Sequence, residues 1–89
     1  MKILDGKITN KETEGDEILK DVITLDLGGD EECFVEVRSK FLRDIIGKTL
    51  IGDTIQIAVV FEGKRTKNGN RFNNIVAKNI KNLNNGAQG

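Results

Sequence analysis

The 89-residue chain has no histidine, proline, tryptophan or tyrosine, and a single cysteine. Without histidine, no Ser–His or Cys–His nucleophile pair can be assembled. One cysteine and no histidine also leave too few nitrogen and sulfur ligands for a zinc-type site. Cys33 has no intrachain partner, which excludes a disulfide-stapled scaffold. Gly63-Lys64 lacks both the upstream glycine spacing of a phosphate loop and the Ser/Thr that should follow its lysine. The acids Asp30, Glu31 and Glu32 form a run of like charge beside Gly28-Gly29, which reads as a solvated loop. The expectation is a non-enzymatic protein with no metal and no cofactor. No basic segment precedes an apolar run as in a signal peptide. No apolar stretch approaches the ~20 residues that span a bilayer. A cytoplasmic protein with no membrane partner is therefore expected.

With 37% hydrophobic residues, the chain can fill one small core. A single domain over 1–83 is expected, followed by a flexible tail of small polar residues over 84–89. Fourteen basic and fourteen acidic side chains cancel, but unevenly. Up to Asp53 there are eight basic residues against thirteen acidic, a net −5; from Thr54 onward there are six against one, a net +5. Such asymmetry between halves points to a binding surface.

Alternation of period two marks the strands. The first, over 1–12, carries Leu4, Gly6 and Ile8 in one phase, and Gly6 signals a bend, a bulge or a close backbone approach. The second, over 17–27, places Leu19, Ile23, Leu25 and Leu27 on one face, and Gly28-Gly29-Asp30 reverses the chain. The third, over 32–38, turns Cys33, Val35 and Val37 inward and Phe34, Glu36 and Arg38 outward. Over 39–47 the period changes. Phe41, Leu42, Ile45 and Ile46 make a helical apolar stripe, with Ser39 as N-cap and Gly47 as the residue after the helix. The fourth strand, over 54–62, turns Ile55, Ile57, Val59 and Phe61 to the core. Asn68-Gly69 then predicts a type I′ hairpin turn. The fifth strand, over 71–82, alternates imperfectly, which predicts a bulge near Asn73-Asn74.

Three strands, a helix and two strands is the order of a mainly β, five-stranded OB-fold barrel (β-β-β-α-β-β), with the helix stripe plugging one end. An SH3-like barrel is the alternative if 39–47 forms only a 3₁₀ turn. The stretches Ile51-Gly52-Asp53-Thr54-Ile55-Gln56-Ile57, Phe61-Glu62-Gly63-Lys64-Arg65 and Asn68-Gly69-Asn70-Arg71-Phe72-Asn73-Asn74-Ile75-Val76-Ala77 support this order. They resemble the C-terminal half of small, uncharacterised bacterial and phage OB-fold proteins similar to single-stranded DNA-binding proteins. The resemblance covers about the last 40 residues and implies the barrel fold and, more weakly, a single-stranded nucleic-acid ligand. Where those relatives tend to carry an aromatic in strand five, this chain has Lys78.

Single strands are held by cations along the phosphates and by aromatic faces under the bases. Lys64, Arg65, Lys67 and Arg71 crowd the strand 4–5 hairpin with no acid among them, and a solvated, solubilising tip is the bland alternative. Phe34 is the stacking candidate, with Arg38 on the same face for phosphate. Phe72 is placed at the groove edge, whereas Phe41 and Phe61 are read as core. Lys78 and Lys81, with Lys7 and Lys11, would extend the basic track. Glu12, Glu14, Asp16 and Glu17 occupy the opposite bank. The expected partner is single-stranded DNA or RNA, bound without strong sequence preference. The alternative is a protein-interaction barrel or a self-associating phage or mobile-element accessory, in which opposite charges drive docking or homo-oligomer formation. An oligosaccharide site built on the asparagines of strand five ranks last, for want of exposed Trp or Tyr.

Overall fold

A computed structural model describes residues 1–83, so the tail expected over 84–89 lies outside the described residues. The elements are β1 (Lys2–Glu14), β2 (Lys20–Gly28), β3 (Glu31–Val37), α1 (Lys40–Gly47), β4 (Thr54–Arg65) and β5 (Arg71–Asn82). They close into a barrel in the order β1-β2-β3-β5-β4. Every neighbouring pair is antiparallel except β3–β5, which is parallel. This is an OB-like barrel with its helix between the third and fourth strands.

β1 serves two neighbours. Lys2 to Lys7 pair with β4, and Lys7 to Glu14 pair with β2, with a register shift between Ile8 and Asn10. At the changeover the strands crowd Gly6, where an added Cβ would lie 3.1 Å from the Asp26 carbonyl oxygen and 3.2 Å from Leu25 Cβ. The close backbone approach expected of this glycine is present, and the bulge falls at Thr9. The alternating residues Ile8, Ile23, Leu25, Val35, Val37, Ile55, Ile57 and Val59 are wholly buried and fill the barrel. Leu19 lies outside β2 and is exposed, because the chain enters that strand only at Lys20.

The helix closes one end with Leu42 and Ile46 buried and Ile45 packed against the core. Burying each such side chain contributes about 1.5–3 kcal/mol. Phe41 belongs to the stripe by spacing but is 72% exposed, against the expectation of a core residue. At 3.6 residues per turn it lies about 90° from the centre of the 42–45–46 face. Ser39 Oγ accepts from the Leu42 backbone N–H at 3.2 Å, as expected of an N-cap. The other end differs from expectation. Gly47 is the last helical residue, and Lys48 caps in the right-handed region with its N–H shared between the Ile45 and Ile46 carbonyls. Lys11 Nζ donates to the Ile46 carbonyl at 3.2 Å and the Thr49 carbonyl at 2.6 Å. An ammonium there complements the negative end of the helix dipole. Lys11 thus pins β1 to α1 and does not extend a basic track.

The type I′ geometry expected at Asn68-Gly69 occurs instead at the β2–β3 turn. Gly29 and Asp30 both have positive φ, 59° and 67°, between the paired residues Gly28 and Glu31, which is the type I′ geometry. At the β4–β5 hairpin only Gly69 has positive φ, 85°. There the Gly69 N–H donates to the Thr66 carbonyl at 3.0 Å and the Thr66 N–H to the Asn70 carbonyl at 2.9 Å. This is a three-residue loop ending in a left-handed glycine instead of the two-residue turn predicted for Asn68-Gly69. The bulge of β5 is at Lys78, between the pairs Val59–Ala77 and Ala58–Asn79, and not at Asn73-Asn74. Among the described residues, no helix is long and apolar enough to cross a membrane.

Candidate functional site

β4 outruns β1, whose pairing begins at Lys2 with Val59, so β4 and β5 continue past the barrel as a two-stranded arm. Phe61 keeps the inward phase, but no strand covers it there. It is 54% exposed, which corrects its reading as core. On the arm, Lys64 stands opposite Phe72 and Arg65 opposite Arg71. Directly opposed like charges repel, which leaves Arg65 and Arg71 favourably placed for an anion between them. A cleft of about 300 Å³ runs along this part of the arm, lined by Gly63, Lys64, Arg65, Arg71, Phe72 and Asn73. Lys67 sits in the exposed turn at the tip.

β3 and β5 share one ladder pair, Glu36 with Val76. On the N-terminal side of that pair a larger cleft, about 440 Å³, separates the two strands. One side carries Cys33, Phe34 and Glu36, and the other Asn73, Asn74 and Ile75, with Lys20 and Val22 of β2 at its margin. Its volume lies in the range of small-ligand sites, roughly 300–1,000 Å³. Asn73 lines both clefts, which therefore adjoin at β5. Phe34 is 59% exposed within it and Phe72 49%. Glu14 and Glu32 line the larger cleft as well, which places acid on the bank opposite the arm.

An ion-pair chain ties β2, β3 and the base of the arm together. Glu36, only 9% exposed, receives all its ionic contacts on Oε1: Lys20 Nζ at 3.2 Å, Arg38 Nε at 3.0 Å and Arg38 Nη2 at 2.9 Å. Arg38 Nη1 reaches Glu62 Oε1 at 3.1 Å, and Lys64 Nζ stands 4.0 Å from the same oxygen. Burial alone would push the Glu36 carboxyl up, but the hydrogen bonds and charges of Arg38 and Lys20 outweigh it and hold it below the usual carboxylate value. The hydrogen bond that Arg38 donates to Glu36 in turn holds the guanidinium above its usual value. Burial pushes the Cys33 thiol up, so it stays protonated and weakly nucleophilic at neutral pH.

The fold therefore brings together Phe34, Phe72, Lys64, Arg65 and Arg71, with Lys67 at the tip. Arg38 lies at the edge of this surface but is engaged by Glu36 and Glu62. Lys78 occupies the β5 bulge and lines neither cleft. Sequence reasoning did not single out Glu36, Lys20, Asn73 or Asn74 as site residues. Alternation marks Glu36 only as an outward acid of the third strand, and the adjacent asparagines only as a bulge or as sugar ligands.

Neither a protein-family model nor a curated protein matches the chain. The class is thus defined by the fold: a closed, five-stranded OB-like barrel with a projecting basic arm beside a cleft.

Proposed function

We propose that this barrel binds single-stranded DNA or RNA, without catalysis and with little dependence on sequence, and that it is related to single-stranded DNA-binding OB proteins acting in the cytoplasm. The observation that carries the reading is the adjacency of two features at β5. Four cations free of intervening acid lie on the arm from Lys64 to Arg71, and two exposed phenylalanines line the adjoining clefts. Cations track phosphates, and each aromatic face that stacks a base contributes about 1–3 kcal/mol. With four cations engaged, log K should fall with log salt at a slope of about −3, at ~0.7 per phosphate for a single strand.

The test is fluorescence anisotropy with a mixed-sequence single-stranded oligonucleotide at several salt concentrations. Lys64→Ala/Arg65→Ala/Lys67→Ala should lose most of the affinity and flatten the slope to about −1, with an unchanged circular dichroism spectrum. Equal affinity of variant and parent at low salt would remove the arm from the site. The charge split and the exposed Ile18 and Phe41, away from the clefts, favour a protein partner or self-association as the second reading. A strictly monomeric species in low-salt sedimentation would count against its self-associating form.

A further inference from the structure

We infer that the cleft between β3 and β5 receives a base of the bound strand and favours one whose inserted edge carries an exocyclic amino group. Phe34 is the stacking surface and Glu36 Oε2 the acceptor. This rests on the nucleic-acid reading and adds a base preference to it.

The first argument is the partition of charge. The larger cleft is lined by Glu14, Glu32 and Glu36 against one cation, Lys20, whereas the cleft on the arm is lined by three cations and no acid. A polyanion laid on this surface puts its phosphates along the arm, and its bases then project toward the carboxylate side. Phosphate in the cleft would meet three acids. An uncharged base edge bearing N–H donors meets acceptors instead.

The second argument is the state of Glu36. Phe34 and Glu36 are two apart on one strand and share its outer face, which sets them about 6–7 Å apart along β3. A base lying on the Phe34 ring has its edge within reach of that carboxylate. Lys20 and Arg38 clamp the group through Oε1 alone, which fixes its orientation, and none of these contacts falls on Oε2. An ionised carboxylate only accepts hydrogen bonds, and here the ion pairs hold it ionised. Cytosine presents an N4 amino group, a known carboxylate partner; uracil presents a carbonyl oxygen at the same position, and two acceptors repel. The two bases are alike in size, so stacking and shape do not separate them. Asn73 and Asn74, whose amides both donate and accept, face the cleft from β5 and tolerate either base.

The experiment is anisotropy with oligo(dC) and oligo(dU) of equal length at neutral pH and low salt. The parent should bind oligo(dC) about fivefold more tightly, the low end of single-pair base discrimination. In Glu36→Gln the ratio should fall to near one while affinity for oligo(dU) rises, because Lys20 and Arg38 are released toward phosphate. Phe34→Leu, at an exposed position that folding tolerates, should weaken binding of both oligomers. Equal affinity of the parent for the two oligomers overturns the base preference and leaves the nucleic-acid reading standing. A preference that survives in folded Glu36→Gln overturns the role of Glu36, and unchanged affinity in Phe34→Leu overturns that of Phe34. No binding of either oligomer overturns the nucleic-acid reading itself.

Discussion

Replacing Arg38 with methionine tests the ion-pair chain that sets the shape of the cleft. Methionine keeps an apolar stem of similar reach, so the change removes charge and donors more than packing. Two donors leave Glu36 Oε1, at 3.0 and 2.9 Å, and one leaves Glu62, at 3.1 Å. Hydrogen bonds to a charged group contribute about 1.5–3 kcal/mol when well buried. The Arg38 side chain is 41% exposed, so solvent screens its part, and exposed pairs such as that with Glu62 contribute about 0–1 kcal/mol. Lys20 still holds Glu36, so no charge is orphaned. The net loss should be about 1–2 kcal/mol, read as a urea midpoint lower by about 1 M at an m-value near 1–2 kcal/mol/M.

The effect should depend on pH in a defined direction. The folded-state pKa of Glu36 is depressed, so its ionic stabilisation is fully present above the unfolded value of about 4.3. It is lost as pH falls through the lower folded value. The two midpoints should therefore differ at neutral pH and converge in acid. Equal midpoints at neutral pH, or a gap that persists unchanged in acid, would refute the account of Glu36 as an ionised clamp.

Three further outcomes are expected. Gly6→Ala should destabilise the barrel by about 1–3 kcal/mol, since the new methyl presses on the Asp26 carbonyl and Leu25; a thermal melt at the parent temperature would contradict this. Ile57→Ala should cost about 2–5 kcal/mol by opening a cavity, whereas Phe61→Ser and Phe41→Ser should each change stability by less than about 1 kcal/mol, all by urea titration. Lys11→Met should lower stability by about 1 kcal/mol through the uncapped helix end, while oligonucleotide affinity stays the same.

The strand phases, the helix with its Ser39 cap and the concentration of cations on one hairpin were all legible in the sequence, because each depends on near neighbours along the chain. The errors cluster where phase and burial part company. Phe61 has the inward phase, but β1 stops short of covering it; Phe41 has the helical spacing but lies off the face that meets the barrel. The type I′ turn predicted at Asn68-Gly69 is absent because loop length, set by strand pairing, selects the geometry, and pairing leaves three residues there and two at Gly29-Asp30.

By itself the sequence determined a five-stranded order around one helix and a positive arm, through local alternation and composition. Tertiary structure alone decided which cations remain available to a ligand. It sends Lys11 to the end of α1, 35 and 38 residues away, and joins Arg38 to Glu62, 24 residues on, across the intervening β5. It also opens a cleft where β3 and β5 share a single pair. Alternation reports which side of a strand a residue faces; what meets it on that side depends on strand order and strand length, which join residues far apart in the chain.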